Sequence, residues 1–169
     1  MAFVIRSVDG TEPTIADSAY VDETAVVIGD VVLEEEASVW PNATLRGDHG
    51  QIVVGEGANV QDNAVLHEDA VLEPSVTVGH TAIVHAATVA EEALVGMGAV
   101  VLDDAHVGEG AVVGAGSIVT EGTGIPPGTL AVGSPAAVKT DLDDSGAASA
   151  AAHYRELSTQ YEETGERIE

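Results

Sequence analysis

The chain contains no cysteine, so neither a disulfide nor a thiolate centre is available to it. Aromatic residues are scarce, with one Phe, one Trp and three Tyr in 169 residues. A core built on aromatic mass is excluded, and Val, Ala, Leu and Ile must fill it. Positive charge is also scarce: 5 Lys plus Arg stand against 29 Asp plus Glu, a formal net charge of −24. Binding to nucleic acid or to anionic membrane surfaces depends on basic side chains, so the composition argues against both. No apolar run reaches the length of a membrane span. The opening MAFVIRSVDG lacks the apolar core of a signal peptide, and the expected location is the cytoplasm.

The acidic surplus is spread along the whole chain, unlike a disordered acidic tail. An acidic surface with a single lysine resembles that of proteins from salt-loving microbes. Concentrated salt shortens the Debye length to a few Å and screens the self-repulsion that dilute buffer leaves in place.

What the chain does have is a ruler of six residues. Val21, Val27, Leu33, Val39 and Leu45 keep the spacing, with Ala25, Val31, Ala37 and Ala43 four places behind. Three extra residues then break the phase. It resumes at Val54 and runs through Val60, Leu66, Leu72, Val78 and Val84. One residue is dropped, and the ruler continues from Val89 to Val119. Helices need a period near 3.6 and strands a period of two. A strict period of six marks a repeat solenoid. Three hexads close a triangular coil, so residues 18 apart stack on one face about 4.8 Å from each other. The aliphatic residue points inward, and the small residue sits at the crowded corner.

The expected fold is an all-β solenoid, a parallel β-helix followed by an α-helix. Residues 1–20 read as a lead-in strand and a turn near Asp9-Gly10. Residues 21–124 form the β-helix. Residues 125–146 read as exit loop and polar linker, because Pro126 and Pro127 bar further strand pairing. Residues 147–169 carry a C-terminal helix, its regular pattern running over 147–164. Ala150, Tyr154, Leu157 and Tyr161 lie on one stripe, and Gly165 is the stop. Its length, about 27 Å, suits docking along its own coil or along a neighbour's.

The ruler also places histidines. His67 follows Leu66 by one and His85 follows Val84 by one, so both point outward from the same face of successive coils. Arg46, one place after Leu45, occupies the same column one coil below. His80 follows Val78 by two and lies near a different corner, with Asp62 at the same offset one coil below as a candidate acceptor for its ring. A threefold partner could bring its own His80 to the pair. Three neutral imidazoles with an open position form the catalytic zinc pattern. His106 and His153 match no such position and read as surface residues.

Trp40-Pro41, Arg46-Gly-Asp48, Asn59-Val-Gln61-Asp62, His67, Val78-Gly-His80, His85, Val95-Gly-Met97-Gly and Gly133-Ser-Pro135 together resemble the γ-class carbonic anhydrases. The resemblance spans roughly residues 14–139. It implies a left-handed β-helix and a homotrimer, with each metal held by His67 and His85 of one subunit and His80 of the next. It further implies an Arg46–Asp48 pair at the subunit interface and a Gln61 side chain hydrogen-bonded to the metal's water. Two positions depart from active members. His49 stands where they carry a glutamate after Arg-x-Asp, and only Glu68-Asp69 follows His67, with no inserted acidic loop. Both features concern proton export, for which His49 is the expected carrier and Glu68 the competing one.

The implied activity is reversible hydration of CO2 to bicarbonate, with Zn2+ as cofactor and Fe2+ or Co2+ equally suited to imidazole donors. Two other readings remain. A hexapeptide-repeat acyltransferase also trimerises but uses one histidine as base and needs basic residues for coenzyme A phosphates. A metal-binding or assembly module would keep the site without the turnover.

Overall fold

The computed structural model describes residues 4–166 and Ile168; parts of the expected lead-in strand and of the 147–169 segment fall outside the described residues. The hexads wind into a left-handed parallel β-helix with three faces. The inward residues stack face by face. Val27, Leu45, Leu66, Val84, Val101 and Val119 fill the first face. Leu33, Val54, Leu72, Val89, Val107 and Ile125 fill the second, and Val39, Val60, Val78, Val95 and Val113 the third. All are buried, with Ala25, Ala43, Ala64, Ala82 and Ala99 packed into one line of corners.

A chain of L-residues normally makes right-handed crossovers. Here the corners turn on residues in the left-handed region, as at Asn63 (φ 59°), Thr81 (φ 61°) and Gly98 (φ 67°), stacked one above another. Asn and Gly tolerate that conformation best. Backbone hydrogen bonds run along the axis from coil to coil, for example Gln61 N–H to the Val78 carbonyl at 3.0 Å.

The phase breaks are visible as register shifts. Gly29 pairs with Gly47, but Val31 pairs with Ile52, so Asp30 faces residues 48–51. This bulge lies in the long strand Thr44–Val54, which with Val26–Leu33 runs through a corner and joins the first two faces into one sheet. A side chain at Gly29 or Gly47 would collide with the backbone opposite, so the bulge requires both glycines. The dropped residue falls after His85: His85 pairs with His67 at an 18-residue step, whereas Thr88 pairs with Val71 at a 17-residue step.

Two expectations need correction. Residues 125–141 are not an exit loop, whereas 142–146 form the expected linker without regular structure. Gly124–Ile125 pairs with His106–Val107, and Leu130 and Ala131 pair in parallel with Val112 and Val113, adding a further turn. Pro126 and Pro127 sit at a corner, where a missing N–H interrupts no ladder. Ala136–Asp141 then folds back antiparallel on Thr129–Gly133 and closes that end of the sheet.

The second correction concerns the helix, Ala147–Thr164, which lies along the third face of its own coil. Its buried residues are Ala147, Ala151 and Ser158 rather than Ala150 and Leu157. Small side chains let the helix backbone approach a flat sheet. Tyr154 and Tyr161 anchor it edge-on against Trp40, with ring centroids 5.2 and 5.3 Å away. Burial, and then Asp22, pushes the Tyr20 phenol well above its ordinary range in the same cluster. Among the described residues no helix is long and apolar enough to cross a membrane.

Candidate metal centre

His67 closes the strand Val65–His67 and His85 closes Ile83–His85. Because the aliphatic partners Leu66 and Val84 are locked inward at zero exposure, the next residue on each strand must face out. The two rings stack in register, with His67 Nδ1 3.1 Å from His85 Nε2. Two nitrogens bound to one tetrahedral zinc at ordinary bond lengths lie about 3.3 Å apart. The spacing therefore fits a shared cation without rearrangement.

The opposite ring nitrogens are held by carboxylates. His67 Nε2 lies 3.2 Å from Asp48 Oδ1 and His85 Nδ1 2.5 Å from Asp103 Oδ1. If each carboxylate takes an N–H, the facing nitrogens carry lone pairs only. Two lone pairs at 3.1 Å repel unless a cation or a proton sits between them.

Asp48 reaches His67 because the bulge pushes it out over the first face. It also accepts Arg46 Nη1–H at 2.6 Å and lies 3.4 Å from His49 Nδ1. Partial desolvation raises its pKa, but hydrogen bonds from Arg46, His49 and His67 outweigh this and lower it from 3.8 to about 2. Glu68 completes this half, its Oε1 3.9 Å from His85 Nε2. His49 projects outward and is 73% exposed.

The remaining predicted residues lie on another face. His80 Nδ1 is 2.9 Å from Asp62 Oδ2, at the corner leading out of the third face. Gln61 is buried there, donating from Nε2 to Asn59 Oδ1 at 3.1 Å, while Asn59 donates to Thr77 Oγ1 at 2.9 Å. Among the described residues the groups able to hold a metal ion are Asp48–His49–His67 and His67–Glu68–His85. His80 belongs to neither and stands apart from the His67–His85 pair. His106 is exposed, and His153 stacks edge-on against Tyr154 at 5.7 Å.

Asp103 was absent from the sequence-based set. Its signal was faint: it stands two places after Val101, one coil above His85, and only side-chain reach brings it onto the imidazole.

Comparison with models of known protein families finds no match. Among curated proteins, the chain is 44% identical over 139 residues to a carbonic anhydrase of Geobacillus kaustophilus, covering 80% of this chain and 76% of that protein. It is 37% identical to the carnitine operon protein CaiE of Citrobacter koseri, covering 90% and 77% respectively. Among solved structures, a hexapeptide transferase family protein from Anaplasma phagocytophilum superposes with a TM-score of 0.91 at 38% identity, over 94% of this chain and 98% of that one. With the hexads, the histidine spacing and the Arg-x-Asp motif in one register and a carbonic anhydrase matched over most of its length, this chain belongs to the γ-class carbonic anhydrase family of hexapeptide-repeat left-handed β-helices.

Proposed function

We propose that the protein is a zinc-dependent enzyme catalysing the reversible hydration of CO2 to bicarbonate, active as a homotrimer. The observation that carries this reading is the His67–His85 pair, with two ring nitrogens 3.1 Å apart and their opposite nitrogens on carboxylates. The metal would be held by this pair and by His80 of the adjacent subunit. The division of the site into two halves within one chain supports that sharing. Exposed Met97 and Ile83, next to His80 and His85, supply apolar surface for the contact.

A bound zinc ion lowers the pKa of its water to about 7, which makes a nucleophile available at neutral pH. The chain's residues do the rest. His67, His85 and His80 present neutral imidazole nitrogens. Asp48 and Asp62 hold the rings of His67 and His80. Gln61, fixed by Asn59, offers its amide to orient the reacting oxygen. Arg46 keeps Asp48 ionised and in place. His49 and Glu68 are the groups that can take the released proton to solvent. Fe2+ and Co2+ suit the same donors.

The transferase-family neighbour keeps an acyltransferase reading in view. Against it stand only 5 basic residues for coenzyme A phosphates and a stacked histidine pair that acyl transfer does not require. The test is stopped-flow CO2 hydration by zinc-loaded protein, beside His67→Ala. Hydration at the buffer rate by a fully loaded protein would refute the proposal.

A further inference from the structure

His85 holds its two ring nitrogens in different company. Nε2 faces His67, while Nδ1 meets Asp103 Oδ1 in a close contact at 2.5 Å. Asp103 lies outside the residues that carry the resemblance given above. Among the described residues its carboxylate has no partner other than His85. Asp48, by contrast, is divided among Arg46, His49 and His67.

We infer that Asp103 is the positioning residue for His85: its carboxylate takes the Nδ1 proton and so commits the Nε2 lone pair to the site. The inference rests on the metal-centre reading above.

The tautomer of an imidazole follows the hydrogen bond made by its other nitrogen. Without Asp103, the proton is free to move to Nε2. An Nε2–H aimed at His67 Nδ1 across 3.1 Å would close the pair on itself as an ordinary hydrogen bond. A cation would then have to displace that proton before binding. With Asp103 in place the proton is held on the far side, and the pair stays open. Glu68 cannot substitute, because its Oε1 lies on the Nε2 side and at 3.9 Å is beyond hydrogen-bond reach. Leu102 occupies the position directly above His85 and offers only hydrocarbon, so the carboxylate must reach in from the next residue. With this contact each of the three histidines has one carboxylate on one ring nitrogen: Asp48 for His67, Asp62 for His80 and Asp103 for His85.

The test measures zinc affinity by competition with a chromophoric chelator for wild type, Asp103→Asn, Asp103→Ala and the adjacent control Asp104→Asn. A second arm records 15N spectra of metal-free, histidine-labelled protein, with the His85 signal assigned by its loss in His85→Gln. Circular dichroism melting confirms that each variant folds. Both Asp103 variants are expected to weaken zinc binding about 10–100-fold, the usual loss when such a partner is removed. Asp104→Asn is expected to bind as wild type does. In the spectra, the His85 proton is expected to move from Nδ1 to Nε2 when Asp103 is replaced. If wild type binds zinc and both Asp103 variants bind it equally well, the inference fails while the metal reading stands. If wild type binds no zinc, the metal reading fails, and an unchanged His85 tautomer in the variants would overturn the inference as well.

Discussion

Subunits that share ligands can complement one another, and the geometry predicts by how much. His67 and His85 meet within one chain at 3.1 Å, while His80 lies at another corner on Asp62. In the proposed ring of three, each site would take the His67–His85 pair from one subunit and His80 from its neighbour. Trimers of His67→Ala alone, or of His80→Ala alone, lack a ligand at every site. When the two are mixed and exchanged, a site is complete only where a His80→Ala subunit supplies the pair and a His67→Ala subunit supplies His80. For random assembly that probability is the product of the two fractions, so an equal mixture restores about one quarter of the sites. Mixing His67→Ala with His85→Ala restores none at any ratio, because both ligands come from one chain. The assay is zinc per chain at limiting metal, measured after gel filtration of co-refolded subunits. Plotted against mixing ratio, the first pair should trace a dome and the second a flat line. A flat line for both would show that His80 is not shared between chains. A dome for both would show that the stacked pair is not one half-site.

Three other outcomes follow from the same structure. Trp40→Ala removes a buried ring that holds Tyr20, Tyr154 and Tyr161, a truncation that costs about 3–5 kcal/mol; the helix should detach, seen as lost helical ellipticity and protease cleavage in residues 141–146. The melting temperature should rise substantially from dilute buffer to molar KCl, because a net charge of −24 repels itself less when screened; a flat dependence would refute this. His49→Ala should lower kcat in weak buffer, spare kcat/KM and be rescued by imidazole; if Glu68→Ala does this instead, the carrier is Glu68, the side chain beside His85.

The hexad spacing was enough to read the solenoid, the inward stacks and the pairing of His67 with His85, because a flat strand of fixed length leaves each residue one direction to face. The same ruler aligned Asp62 with His80. Where side chains reach diagonally, the ruler says nothing. Asp103 has the wrong offset for His85 and finds it only through the length of its side chain. The prolines misled because a proline's missing N–H matters in a ladder and not at a corner, and the sequence does not show that Pro126 and Pro127 fall at one. The helix misled for another reason: the docking face is chosen by how closely the backbone can approach, so Ala147 and Ala151 are buried ahead of the larger Leu157.

The two places where the ruler fails flank the His67–His85 pair. A regular hexad stacks His85 on His67 and sets Asp62 beside His80, but the carboxylate that meets His67 comes from the broken period. Three inserted residues mark one side: they swell the strand opposite Asp30 and carry Asp48 and His49 out over His67. One deleted residue marks the other side: the chain turns at Ala86 (φ 45°) directly after His85, a corner one residue shorter than its neighbours. A bulge in an otherwise regular sheet re-aims side chains at a cost in pairing. Departures from the local rule are expected at functional sites, where the fold accepts a local cost for placement. In this chain the breaks mark the surroundings of the His67–His85 pair, while His80 and Asp62 are placed by the unbroken period.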